Sequence, residues 1–491
     1  MSALHRTVRR TPAAETGGLG PRASRSRKAC AAALCALMLA GCASMAPSYE
    51  RPVAPVARDF PIATAPTPDA TPAADLPWQQ FFADERLKRL IALALDHNRD
   101  LRVAVLNIEQ ARAQFDIRRA DRLPTVNAGV GGSRQPSGSG NVNTLYSAGL
   151  LVTSYELDLY GRVRSLSDAA LAQYLATEEA RKAVQISLVA SVASAHLALQ
   201  ADDELLRVTE QTLQTRDDSY RLTKLRFDNG ASSQIDLRQS ESLLAAAQVA
   251  LAQARRLRAL DENALTLLIG QPLPADLPPG LPITASATFP ELPAGLPSDV
   301  LTRRPDVRQS EQLLIASNAS IGAARAAFFP RISLTGSIGT ASSELDGLFK
   351  SGSFGWSFAP QLLLPIFDAG RNQANLASVQ VSRQIAVAQY ERAIQTAFRE
   401  VADALAGRAT LGQQLQAQQA LVLAEQDRFR LADLRYRNGA SSFLEVLDAQ
   451  RSLFASQQAL VQVQTQQAQN GVALYRALGG GWTDSASATP R

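Results

Sequence analysis

The most regular pattern along the chain is a heptad of apolar positions. Leu206, Leu213, Tyr220 and Phe227 fall seven residues apart, and Leu237, Leu244 and Leu251 resume the spacing after Asn229-Gly230. Helices of a coiled coil keep one seam buried by this repeat. No Gly or Pro occurs in the 68 residues between Gly161 and Gly230, nor from Ala231 to Ile269, and the content is Ala, Leu, Gln, Glu and Arg, all strong helix formers. These runs predict a descending helix of roughly 100 Å and a return limb of roughly 60 Å. The thread then returns with a shift of 209, through Leu415, Val422, Phe429 and Tyr436 and on to Val446, Leu453 and Leu460. Gly161-Arg162 maps onto Gly370-Arg371 by the same shift, and Pro124 onto Pro330 by 206. The chain is an internal duplication.

A period of two precedes each long helix. The segments are "PTVNAGVGGS" and "NTLYSAGLLVTSYEL" in the first half, "PRISLTGSIGTASS" and "SGSFGWSFAPQLLLP" in the second. Alternation is clearest in the last, where Phe354, Trp356, Phe358 and Leu362 share one face and Ser353, Gly355, Ser357 and Gln361 the other, as in an amphipathic strand. Four strands cannot close a barrel, and an open edge in hydrocarbon leaves backbone groups unpaired at several kcal/mol each. Two copies give 8 strands, wide enough only for side chains, whereas three give 12 and leave a lumen. The strands therefore predict a membrane α+β chain whose barrel is completed by other copies, three of them giving twelve strands at four per chain, beside long antiparallel helices with coiled-coil spacing. The competing reading is a soluble α+β protein with a small sheet beside a bundle, and it leaves the aromatic face unexplained.

The N-terminus fits export. Basic residues run up to Lys28, and the apolar run "ACAAALCALMLAG" of 13 residues follows, too short to span a bilayer. It ends at "LAGC", which resembles the bacterial lipobox, so residues 1–41 read as a lipoprotein signal peptide and Cys42 as the lipidation site. Its diacylglycerol and fatty acyl groups, palmitate among them, form the one covalent cofactor expected, and more than one acyl chain makes a firm anchor. Residues 42–77, rich in Pro and Ala, read as an extended tether. The first repeat is expected over 78–270, a Pro-rich linker over 271–297, the second repeat over 298–479, and a flexible tail over 480–491.

Net charge adds little once the leader is removed. The whole chain carries +5, but seven basic residues and only Glu15 among acids precede Cys42, leaving about −1 and no case for nucleic-acid binding. Cys30 and Cys35 lie in the leader, so the mature chain holds no disulfide and rests on packing alone. Only His97 and His196 survive export, and there is no GxSxG, HExxH or phosphate-loop pattern, so neither catalysis nor a metal site is expected.

Each half turns at Asn-Gly-Ala-Ser-Ser, with Gly230 and Gly439 supplying the permissive backbone and a serine capping the return helix. The copies diverge immediately afterwards. Glu445, Asp448 and Arg451 stand where the first copy has Asp236, Gln239 and Ser242, so only the second turn carries a carboxylate three residues before an arginine, a spacing at which the two can pair.

The duplicated plan resembles the TolC-type outer membrane factor family. "RRPDVRQSEQLLIASNASIGAARAAFFPRISLTGSIG" (303–339), "REVADALAG", "RYRNGASSFLEVLDAQRSL" and "LYRALGGGW" resemble its OprM/NodT lipoprotein branch. The resemblance implies a homotrimer anchored in the bacterial outer membrane: a trimeric 12-stranded outer membrane β-barrel continued by a long antiparallel α-helical coiled-coil barrel that reaches into the periplasm. There it meets a periplasmic adaptor (membrane fusion) protein and an inner-membrane RND transporter. The implied function is passive efflux of drugs or other small solutes, hence antibiotic resistance; the alternatives are a duct for type I protein secretion and a non-conducting lipoprotein strut. The resemblance further implies that Asp448 with Glu445 rings the periplasmic mouth and Leu444 narrows it. Arg451, Arg435 and Tyr436 would then link neighbouring hairpins through partners such as Asp236.

Overall fold

The computed structural model describes residues 44–62, 73–136, 138, 142–286, 288–290, 292 and 303–482. Cys42, the signal peptide and most of the C-terminal tail lie outside the described residues. The helices are α1 (Glu85–His97), α2 (Arg99–Ala120), α3 (Arg162–Asp228), α4 (Gln234–Ile269), α5 (Pro305–Ala326), α6 (Arg371–Arg437) and α7 (Phe443–Ala477). The strands are β1 (Val126–Pro136), β2 (Val142–Leu157), β3 (Arg331–Ser342) and β4 (Phe354–Leu363). The duplication is visible in the helix lengths: α3 and α6 have 67 residues each, and α2 and α5 have 22 each.

The chain divides into two compact units, of which one contains Pro124–Arg164 and Arg325–Ile366. This unit is an antiparallel sheet in the order β1-β2-β3-β4. Register places Ala128, Leu150, Ile338 and Trp356 in one cross-strand row, and Gly129, Gly149, Gly339 and Gly355 in the next. Successive residues point to opposite faces, so one face is apolar and the other is lined by glycine and serine. At Gly149 and Gly339 the neighbouring strands come so close that a Cβ would overlap the carbonyl oxygens of Ile338 and Ala148, whereas at Gly355 it would meet open space. Trp356 is 74% exposed and Phe354 67%, so within its own unit the apolar face has no cover. Among the described residues the outer strands β1 and β4 each have one neighbour only.

The second unit holds the helices. Its core gathers Phe81, Phe82, Leu90, Ile91, Val192, Leu197, Ile269, Tyr390, Ala397 and Tyr475, with the rings of Phe81 and Tyr475 stacked at 3.9 Å. Asp84 caps α1 and is buried against His196 of α3, whose Nε2 lies 3.0 Å from Oδ2. The same carboxylate accepts from Gln200 Nε2 and from Leu281 N of the inter-repeat linker, tying linker to helix. Burial pushes Asp84 up, but the His196 bond and backbone N–H groups outweigh it and hold the carboxyl below its usual value.

One expectation is corrected here. Residues 44–62 lack helix or strand, as their Pro and Ala content predicts, yet Ala46–Ile62 is no free tether. Arg51 grips Glu311 of α5 with two bonds of 2.7 and 2.9 Å, Tyr49 donates to the same carboxylate, and Phe60 stacks on Phe398 at 4.8 Å. The aromatic and charged side chains scattered through the segment, not its average composition, fix it in place. By length and composition alone α3 could cross a membrane, but 56% of the qualifying stretch is buried inside the fold, as in a core helix.

Candidate gate at the helical turns

The two turns share one backbone. Gly230 and Gly439 adopt φ of +71° and +70°, the left-handed region that an L side chain enters at a cost. Both close a Schellman motif: Ala231 N donates to Arg226 O and Ala440 N to Arg435 O, each at 2.8 Å, while Gly230 N and Gly439 N donate to Phe227 O and Tyr436 O. Even the asparagine side chains repeat, since Asn229 and Asn438 Nδ2 donate to Leu225 and Leu434 O at 2.7 Å.

The side chains beyond the turns part company. Ser233 and Asp236 form a reciprocal capping box: Asp236 N donates to Ser233 Oγ at 3.1 Å, and Asp236 Oδ2 accepts from Ser233 N at 3.2 Å. Within this chain Asp236 is thus engaged inside its own turn. In the second turn Ser442 makes no such bond. Glu445 lies 3.6 Å from Arg435, which also donates to Ala440 O.

Leu444, Glu445, Asp448 and Arg451 are all exposed along one strip of α7, while Phe443, Val446, Leu447, Ala449 and Gln450 are buried on the other side. That buried face packs with Leu243 of α4 and Ala432 of α6, so the two hairpins share a small core at their tips. Tyr436 does join the hairpins: its ring lies against Phe443 at 5.0 Å and beneath the guanidinium of Arg226 at 4.8 Å.

The expected pair of Asp448 with Arg451 is not made. Asp448 instead binds Arg428 of α6, which also reaches Glu425 at 3.2 Å and Ser452 Oγ at 3.3 Å. These contacts raise the Arg428 pKa above its ordinary value, the Asp448 bond first among them. Sequence spacing along α7 missed Arg428 because the contact crosses the hairpin. Counting outward from the turn finds it, since Arg428 and Asp448 lie equally far either side of Asn438. Among the described residues Arg451 forms no ion pair. It lies near Arg216, whose guanidinium is buried against Phe454 and the Leu243 carbonyl; burial and the Arg451 charge both lower the Arg216 pKa. No group of His, Cys, Asp and Glu able to hold a metal occurs among the described residues.

A sheet with one apolar face and two open edges, carried on a chain whose long helical hairpins end in charged turns, defines a subunit of an outer membrane channel. The outer membrane efflux protein family matches over residues 90–271 and 296–480. The chain is 49% identical to the probable efflux pump outer membrane protein TtgC of Pseudomonas putida, over 92% of this chain and 95% of that protein. It is 47% identical to the outer membrane protein OprJ of Pseudomonas aeruginosa, covering 93% and 96%. The open-state structure of the MtrE outer membrane channel of Neisseria gonorrhoeae superposes with a TM-score of 0.83 at 43% identity, covering 91% of this chain and all of that one. The chain belongs to the outer membrane efflux protein family and is an outer membrane component of an efflux pump.

Proposed function

We propose that three copies close a twelve-stranded barrel and conduct small solutes passively from a periplasmic adaptor and an inner-membrane RND transporter to the exterior. The carrying observation is the sheet itself. β1 has 11 residues and β4 has 10, and an edge strand turns roughly half of its backbone groups outward, so about ten polar groups per edge lack partners. At several kcal/mol each in hydrocarbon, they exceed the 5–15 kcal/mol that holds a typical domain together. A lone copy cannot sit in the membrane, and three copies supply strands enough for a lumen. The relatives' names specify toluene, solvents and antibiotics, which favours small apolar or amphiphilic cargo over secreted proteins. In this reading Cys42 is acylated and adds a second hold on the membrane, and the chain performs no catalysis.

The exposed strip of α7 is the gate. Three copies of Leu444, Glu445 and Asp448 would ring the mouth with apolar bulk and like charges, a constriction that attracts cations and spreads once its bridges break. Docking of an adaptor favours the spread state. Conductance of purified trimers in planar bilayers tests this: Asp448→Ala is expected to change conductance and reduce cation selectivity. Unchanged values would remove Asp448 from the gate, and a detergent-extracted protein that is a folded monomer would overturn the barrel.

A further inference from the structure

The second turn has every backbone feature of the first and leaves its capping box unmade. Ser233 and Ser442 occupy the same extended conformation, with φ, ψ of −83°, 157° and −75°, 154°. Ser442-Phe-Leu-Glu445 is moreover the more usual sequence for the box, serine followed three residues later by glutamate. The buried hydroxyl of Ser441 has no partner, whereas its counterpart Ser232 donates to Asp236 at 3.2 Å. The difference lies in the arginines. Arg226 leans across to the Tyr436 ring and leaves Asp236 to its cap, while the equivalent Arg435 stays in its own turn and takes Glu445.

We infer that Glu445 is a two-position switch, bound to Arg435 in the state seen here and to the Ser442 cap, with Ser441, in the alternative state. This rests on the reading of the α7 strip as the gate. Moving from one partner to the other leaves Arg435 with only its bond to the Ala440 carbonyl and repairs the start of α7 in the same step, so breaking the ion pair is offset by a new set of bonds. Glu445 acts here as a positioning residue: it sets which arrangement the gate helix begins from.

Four full-length variants, as trimers in lipid, decide the matter: Glu445→Gln and Glu445→Ala, each with and without Ser442→Ala. Glutamine loses the charge that holds Arg435 but still caps; alanine loses both. Amide hydrogen exchange over residues 440–449 is expected to be about fivefold slower in Glu445→Gln than in Glu445→Ala, the size of one helix cap. Ser442→Ala should abolish that difference, and open probability should rank in the same order. Glu445→Asp, which copies the first turn, is the second route should the glutamine variant assemble poorly. Equal exchange in the Gln and Ala variants, or a difference indifferent to Ser442, overturns the switch. Exchange is read without conductance, so the switch can fail while Asp448→Ala still alters the current, and the gate can fail while the exchange difference persists.

Discussion

Arg428 is the side chain whose loss should open the mouth most directly. It holds Asp448 and Glu425 together across the hairpin, with Ser452 as a third contact. Both partners of the Arg428–Asp448 bridge are about half exposed, 46% and 54%, so the bridge belongs with surface pairs worth about 0.2–1 kcal/mol. Taking roughly 1 kcal/mol per chain, three chains opening together would shift the closed-to-open ratio by about 3 kcal/mol, roughly a hundredfold. Arg428→Gln keeps the length and some hydrogen bonding while removing the charge, and it leaves three Asp448 carboxylates uncompensated. In planar bilayers at low salt the variant should show a higher open probability and stronger cation selectivity than the parent. Raising salt from 0.1 M to 1 M shortens the screening length from about 10 Å to about 3 Å, so the gap between variant and parent should narrow. An open probability equal to the parent's at low salt, or a gap undiminished at 1 M, would refute the argument.

The glycine row of the sheet makes a positional prediction: Gly149→Val or Gly339→Val should abolish assembled trimers on native gels, because the added side chain meets the next strand's backbone, whereas Gly355→Ser, which points into open space, should assemble normally. A third prediction concerns Asp202 on α3. Burial, with the charge of Asp261 and a hydrogen bond to it, pushes its carboxyl from the usual 3.8 up to about 6. An acid raised on folding contributes stability that is fully present below the unfolded value and is lost as pH rises through the folded one. Asp202→Asn should therefore melt close to the parent at pH 4. At pH 7.5 it should be more stable by about 1 kcal/mol, a figure reduced for the solvent that reaches the site. Equal melting temperatures at pH 7.5 would count against it.

Much of the fold was legible because Gly and Pro punctuate it. The 67 residues of α3 are announced by the absence of both, and the φ of +70° at Gly439 by an Asn-Gly pair. The strands followed from alternation, and their boundaries agree with the segments read from sequence to within a few residues. The site was legible only in part. Spacing along one helix suggested that Asp448 meets Arg451, but the nearer guanidinium was across the hairpin, where heptad register and turn geometry together decide contacts. The gate roles proposed for Leu444 and Asp448 rest on resemblance, since an exposed apolar residue beside two carboxylates is no pattern that packing requires. The strap from Ala46 to Ile62 escaped because three side chains, Tyr49, Arg51 and Phe60, decide its path against an unpromising background of Pro and Ala.

Why one turn appears twice and then diverges follows from which positions carry each task. The five repeated residues, Asn-Gly-Ala-Ser-Ser, fix the backbone: the left-handed glycine, the two Schellman bonds and the asparagine bond recur in both copies. They are constrained by local sterics, so either copy would lose its reversal by changing them. The charged strip that differs, at 445, 448 and 451 against 236, 239 and 242, lies on the outer face of its helix in the second copy, where substitution costs little in packing. In the first copy the acid at this strip closes a capping box and ends its business locally. In the second, Glu445 and Asp448 reach instead to arginines of the preceding helix. Their bonds are therefore the ones that strain when the two limbs of the hairpin slide past each other. A turn whose acid caps its own helix resists such sliding only through its core, whereas a turn whose acids bridge the limbs senses it directly. On the proposed reading of the gate, the two repeated turns thus differ in kind: the first is a fixed corner, and the second, through Glu445 and Asp448, a latch.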